Sequence, residues 1–126
     1  MKIMVVDDEP DMVYILRIIL EKEGHSVVEA YTGKECLQKL KSEKIDIILL
    51  DDIMPGMDGW RTCKLIKENE KTSSIPVCML TVLSREVERR TSLDLALADA
   101  HLGKPFEKRE LVETVRRLLR NPRERK

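Results

Sequence analysis

No apolar stretch in this 126-residue chain approaches the ~18–20 residues that a membrane-crossing helix needs. Met1-Lys2 leads straight into a strand pattern with no signal peptide ahead of it. An unexported, cytoplasmic chain without membrane association is therefore expected. Excess charge is missing as well: 23 basic and 23 acidic residues cancel, which excludes a global field drawing the chain to nucleic acid. The ending Arg116-Arg117…Arg120…Arg123-Glu124-Arg125-Lys126 is locally basic, and it reads as a solvated helix end whose cations suit the dipole. Cys36, Cys63 and Cys78 are odd in number, lie in three apolar-patterned segments and form no Cys-x-x-Cys pair. Reduced thiols in the core follow, rather than disulfides. There is no internal repeat, linker or low-complexity segment. The length fits one domain that buries roughly two-thirds of the surface its unfolded chain exposes, so no staple is required. Residues 1–120 are assigned to that domain and 121–126 to a basic tail or the start of a linker.

What the chain does contain is a series of short apolar runs that stop abruptly in polar residues. Ile47-Ile48-Leu49-Leu50 is wholly aliphatic and ends in Asp51-Asp52, followed by the turn Pro55-Gly56. A half-exposed strand would alternate apolar with polar, so this run predicts a strand buried on both faces. Ile3–Val6 repeats the pattern and ends in Asp7-Asp8-Glu9, with Pro10 placed for the first turn of a helix. From Pro10 to Glu23, Met12, Val13, Leu16, Ile19 and Leu20 recur at three- and four-residue spacing, and Gly24 follows as a C-terminal cap. Ser26–Ala30 predicts a second strand, and Thr32-Gly-Lys-Glu35 a capping box before a helix whose face is Cys36, Leu37 and Leu40. Asp58 is placed to cap a third helix carrying Cys63, Leu65 and Ile66, which dissolves into a polar turn from Asn69 to Ser74. Ile75–Leu80 predicts a fourth strand ended by Thr81, Ser84 to about Leu97 a fourth helix, and Ala98–Leu102 a fifth strand. Gly103-Lys104-Pro105-Phe106 follows, and a last helix with Leu111, Val112, Val115, Leu118 and Leu119 inward stops at Asn121-Pro122.

Five short strands alternating with five helices imply an α/β domain: a doubly wound, five-stranded parallel sheet with helices on both faces. In the flavodoxin-like strand order 2-1-3-4-5 the switch point lies between the first and third strands, whose ends carry Asp7-Asp8 and Asp51. Open α/β sheets place their chemistry at that edge, and Asp51 is the candidate nucleophile. At ~4 Å and an effective dielectric of ~20, each carboxylate pair repels by about 4 kcal/mol, so the crevice requires a cation. Mg²⁺, bound through one or two carboxylates plus phosphate oxygens, fits better than Ca²⁺, which takes more protein oxygens. No sulfur or imidazole lies near in sequence to favour zinc. Lys104 and Thr81 leave their strands at the same edge. There the ammonium can pair with a phosphoryl oxygen or with Asp51, and the hydroxyl can donate a hydrogen bond. The set describes a carboxylate that accepts a phosphoryl group. Successive strand residues point to opposite faces, so Asp52 faces away from the pocket.

Val5-Val6-Asp7-Asp8-Glu9-Pro10, Leu50-Asp51-x-x-Met54-Pro55-Gly56-Met57-Asp58-Gly59, Leu80-Thr81 and Lys104-Pro105-Phe106 together resemble the signature set of the receiver domain of two-component response regulators, the CheY-like superfamily. The resemblance implies that Asp51 is the phosphoacceptor and that Asp7, Asp8, Asp51 and the backbone carbonyl of Ile53 hold Mg²⁺, with Mn²⁺ as a substitute. It makes Thr81 the switch hydroxyl and Lys104 the phosphate-contacting lysine, whose bond to Pro105 is commonly cis in the family. His101 stands at a switch position usually held by an aromatic. Ile53 and Leu83, both apolar, flank the line of attack of the hydrolytic water and are expected to slow loss of the phosphoryl group. Val82, branched where a small residue is usual, should narrow access to the site, and Ala96-Leu97-Ala98-Asp99 lacks the usual helix-ending glycine. The implied donor is a phosphohistidine on a sensor histidine kinase or phosphotransfer protein. The implied output is a change in the surface of the fourth helix, fifth strand and last helix that alters affinity for a downstream protein. No direct nucleic-acid contact is implied. A monomer and a phosphorylation-dependent dimer stay open, as do a stand-alone regulator or relay protein and a receiver cut from a longer one. The rival class, an Mg-dependent phosphohydrolase with an aspartyl-phosphate intermediate, generally needs an Asp-x-Asp on the first strand, which Asp7-Asp8-Glu9 lacks.

Overall fold

The computed structural model describes residues 1–81 and 97–120. Its sheet comprises β1 (Lys2–Val6), β2 (Ser26–Ala30), β3 (Ile47–Asp51), β4 (Val77–Thr81) and β5 (Ala100–Gly103), all parallel, in the order β2-β1-β3-β4-β5. The expected doubly wound topology is therefore present. Among the described residues the crossovers contain α1 (Pro10–Lys22), α2 (Gly33–Lys39) and α3 (Gly59–Glu68), and α4 (Lys108–Leu118) follows β5. Of the helix expected from Ser84 to about Leu97, only Leu97 is among the described residues, where it is helical; residues 84–96 lie outside them, as do Val82, Leu83 and the tail 121–126.

The period-2 alternation of the strands sorts the core into two layers. Ile3, Val5, Ile47, Leu49, Cys78, Leu80 and Leu102 meet α1 and α4 on one face. Met4, Val6, Ile48, Leu50, Val77 and Met79 meet α2 and α3 on the other. Every residue of β3 and β4 is buried, as an apolar run without alternation requires. The three cysteines are free and buried. Burial pushes the thiols of Cys36 and Cys78 up to about 12 and that of Cys63 up to about 11, so all three stay neutral.

Helix boundaries follow local chemistry. Pro10 opens α1, and Gly24 after it takes φ +91°. Asp58 caps α3 by accepting from the Arg61 N–H at 2.8 Å. The capping box at Thr32 forms in part: Thr32 Oγ1 accepts from the Glu35 N–H at 3.0 Å, but Glu35 reaches back to the Tyr31 N–H at 2.6 Å, one residue earlier than the motif predicts. β4 starts at Val77 rather than Ile75, because Pro76 has no N–H to give a ladder, although its carbonyl accepts from Ile48 at 3.0 Å. Thr81 is the last residue of β4 rather than the one after it. β5 begins at Ala100, because the Asp99 carboxylate turns back to accept from the Val77 N–H and from Lys67 Nζ, both at 2.8 Å.

Gly59 is set by close approach. A Cβ there would lie 2.0 Å from the Asp51 carbonyl oxygen and 2.8 Å from the Asp52 Cα, backbone atoms that cannot swing aside. A Cβ at Gly33 would meet the Thr62 hydroxyl at 2.2 Å, a side chain that can turn. Gly59→Ala should therefore cost about 2–4 kcal/mol in denaturant unfolding and Gly33→Ala less. Equal losses, or none at Gly59, would contradict the packing.

Candidate functional site

The register of the sheet brings the polar strand ends together. Val6 pairs with Leu50, Asp51 with Leu80, and Thr81 with Gly103. Asp7, Asp51, Thr81 and Lys104 consequently stand at neighbouring strand ends along one edge, with Asp8 beside Asp7. One carboxylate oxygen each from Asp7, Asp8 and Asp51 lies within 4.8 Å of the others. Lys104 Nζ donates to Asp51 Oδ1 at 2.6 Å and sits 3.5 Å from Asp7 Oδ2. The Lys104-Pro105 bond is cis.

Asp7 and Thr81 are fully buried and Asp51 is 3% exposed, while Asp8 is half-buried. Asp7 uses Oδ1 to accept from the Glu9 N–H at 3.0 Å, which shapes the turn into α1. Among the described residues its Oδ2 accepts no hydrogen bond and Thr81 Oγ1 makes none. Both atoms are the kind of buried polar group that a ligand at this edge would satisfy. The donor set is entirely oxygen, with two carboxylates largely desolvated, and this fits a hard divalent ion of the Mg²⁺ class.

Burial pushes the Asp51 carboxyl up to about 6; the bond from Lys104 opposes this, and the charge of Asp7 adds to it. Burial works against the charged form of Lys104 and is the largest single effect, yet the bond to Asp51 and the charges of Asp51, Asp7 and Asp52 together outweigh it and hold the ammonium above its ordinary value. Because the folded Asp51 value exceeds the ordinary 3.8, its contribution to stability is complete below about pH 4. It is lost as pH rises through about 6, about 3 kcal/mol in all. At neutral pH Asp51 is ionised and held at that cost.

The other predicted residues divide. Ile53 is 57% exposed just beyond Asp51, an apolar side chain standing in solvent at the rim. Asp52 is 2% exposed and outside the carboxylate group, in line with the alternation that turned it away. His101 does not turn into the acidic crevice: it is exposed on β5 and stacks on Trp60 of α3, with ring centroids 5.9 Å apart and planes at 30°. Leu83 lies outside the described residues. Sequence reasoning missed the His101–Trp60 stack, which joins two elements that no local pattern connects. It also missed the seating of Gly59 on Asp51, for which the only signal was a glycine at a helix start already capped by Asp58.

Residues 3–116 match the family model of the response regulator receiver domain. Among curated proteins, the alkaline phosphatase synthesis transcriptional regulatory protein PhoP of Bacillus subtilis is 39% identical over 119 residues, which cover 94% of this chain and 48% of PhoP. The chain thus spans about half the length of that relative. Among solved structures, the response regulator TrrA of Thermotoga maritima, in complex with Mg²⁺-BeF, is 35% identical with a TM-score of 0.83, covering 94% of this chain and 98% of its own. The signal receiver domain of a signal transduction histidine kinase from Syntrophus aciditrophicus is 32% identical with a TM-score of 0.82, covering 94% and 89%. With its topology, its acidic strand ends and these likenesses in agreement, the chain belongs to the response regulator receiver domain family.

Proposed function

We propose that Asp51 accepts a phosphoryl group from a phosphohistidine of a kinase or phosphotransfer protein, and that the chain acts as a switch rather than as a turnover enzyme. The observation that carries this is the arrangement around Asp51: a buried carboxylate with Lys104 at 2.6 Å and the oxygens of Asp7 and Asp8 within 4.8 Å. Asp7, Asp8 and Asp51 would hold Mg²⁺, with the Ile53 carbonyl as a further ligand and Mn²⁺ as a substitute, and when bound the ion supplies positive charge against phosphoryl oxygens. The Mg²⁺-BeF complex of the relative TrrA supports that choice.

The steps assigned to the chain's own residues are few. Asp51, ionised above about pH 6, attacks phosphorus with one carboxylate oxygen as the bond to the donor nitrogen breaks, and the electron pair leaves with the imidazole. Lys104 then exchanges Asp51 Oδ1 for a phosphoryl oxygen, remaining charged throughout. Thr81, with a buried hydroxyl uncommitted among the described residues, donates to another phosphoryl oxygen. Such contacts bias a two-state equilibrium of the surface formed by β5, α4 and the segment before them, which meets a downstream protein. His101 takes part from its stack on Trp60. In this reading residues 1–120 are the receiver unit, 121–126 are a basic tail or the start of a linker, and the chain works in the cytoplasm. Among the described residues no helix is long and apolar enough to cross a membrane.

Incubation of the full chain with acetyl phosphate and Mg²⁺ should add one phosphoryl group by intact mass, and none in Asp51→Asn or with EDTA. Labelling that survives Asp51→Asn, or prompt release of many phosphates per chain, would contradict the assignment. Ile53 and Leu83 offer water no polar group, so Ile53→Asn, which can orient a water beside Asp51, should speed loss of the label by about tenfold. An unchanged or slower decay would sink the timer role of Ile53.

A further inference from the structure

Leu37 on α2, Leu40 at its C-terminal cap and Leu65 on α3 remain half-exposed on the side of the sheet covered by these helices. The helical spacing places them toward the core, yet Cys36, Cys63 and Ile66 take the buried positions. With Lys41, Glu68 and Lys71 at the rim, the leucines line a groove of about 700 Å³. The buried hydroxyl in its wall, Thr72 Oγ1, is already committed to the Ile66 carbonyl at 2.7 Å. No inward-turned charged group awaits a small polar ligand, so an apolar surface fits better than a metabolite.

The charge around the groove is one-sided. Over residues 33–44 and 59–71 the exposed charged side chains are Lys34, Lys41, Lys44, Arg61, Lys64 and Lys71 against Glu68 and Glu70. The half-buried acids of these segments are already engaged: Glu35 accepts from the Tyr31 N–H at 2.6 Å and pairs with Lys39 at 3.5 Å, and Glu43 pairs with Lys2 at 3.3 Å. Six exposed cations against two acids, on a chain of zero net charge, give this face a positive potential that selects the charge of its partner.

We propose that the groove between α2 and α3 docks an acidic amphipathic helix of a partner protein. Aliphatic residues at helical spacing would seat over Leu37, Leu40 and Leu65, and flanking Asp or Glu would face Lys41, Lys64 and Lys71. None of the residues around Asp51 is involved, so the proposal stands or falls separately from the phosphoryl reading.

The probe is a synthetic peptide of about four turns with leucines at i, i+3, i+4 and i+7 and glutamates elsewhere, titrated into the isotopically labelled full chain and followed by NMR. Shifts should concentrate at residues 37–41 and 65–72. Affinity should fall by about tenfold or more in the double variant Lys41→Glu/Lys71→Glu, whose exposed positions leave the fold and the phosphorylation of Asp51 unchanged. Replacing the peptide's leucines by alanine, or its glutamates by lysine, should abolish the same shifts. Four outcomes would overturn the proposal: absence of shifts at the groove, equal binding of the lysine peptide, indifference to the charge reversal, or self-association of the chain through these residues.

Discussion

The structure depends on keeping an ionised carboxylate almost out of water. Asp51 is 3% exposed, with Asp7 beside it and the Lys104 ammonium within hydrogen-bond distance. Desolvation alone would protonate Asp51 or expel it, and like-charge neighbours make this worse. What holds it is the strand behind it: four aliphatics, Ile47 to Leu50, each fully buried and each contributing roughly 1.5–3 kcal/mol. That outweighs the site's own penalty and leaves Asp51 no freedom to leave the edge. A carboxylate fixed, charged and almost out of water is one that a cation and a phosphoryl group can stabilise.

The loop after Asp51 returns directly onto it. Gly56 takes φ +80°, and Gly59 lies so close to the Asp51 carbonyl that no side chain fits. The Gly59 N–H donates to the Asp52 carbonyl at 2.9 Å. Asp58 caps α3 through Arg61, and the Thr62 hydroxyl donates to the Asp58 carbonyl at 2.8 Å while crowding Gly33 at the start of α2. The N-terminal ends of α2 and α3 are thus fastened to the strand end that bears Asp51. Toward their C-terminal ends, Leu37, Leu40 and Leu65 line an open groove. One pair of helices therefore serves a tightly closed chemical edge and an open apolar groove.

Much of this was legible because the relevant signals are local. Unbroken aliphatic runs ending in acids marked the buried strands, and their alternation with helical periodicity implied a doubly wound parallel sheet; the flavodoxin-like order 2-1-3-4-5, which the family resemblance also implies, then brought Asp7, Asp8, Asp51, Thr81 and Lys104 to one edge. Caps at Asp58 and Gly24 needed only their neighbours. What was not legible depends on distant partners. The start of β5 is set by the carboxylate of Asp99, which reaches back to Val77 and Lys67, and Glu35 chose Tyr31 over Thr32. The stacking of His101 on Trp60 spans 41 residues and leaves no periodic trace. Leu37, Leu40 and Leu65 match core periodicity as well as Cys36 and Ile66 do, and only packing shows that they stay half-exposed.

The most direct test of this account is the titration of the Asp51 carboxyl carbon by NMR in the full chain. Its midpoint should lie near 6, well above an ordinary aspartate, and should fall on addition of Mg²⁺ as bound positive charge favours the carboxylate. A midpoint at the ordinary value, unmoved by Mg²⁺, would mean that Asp51 is neither desolvated nor part of a cation site.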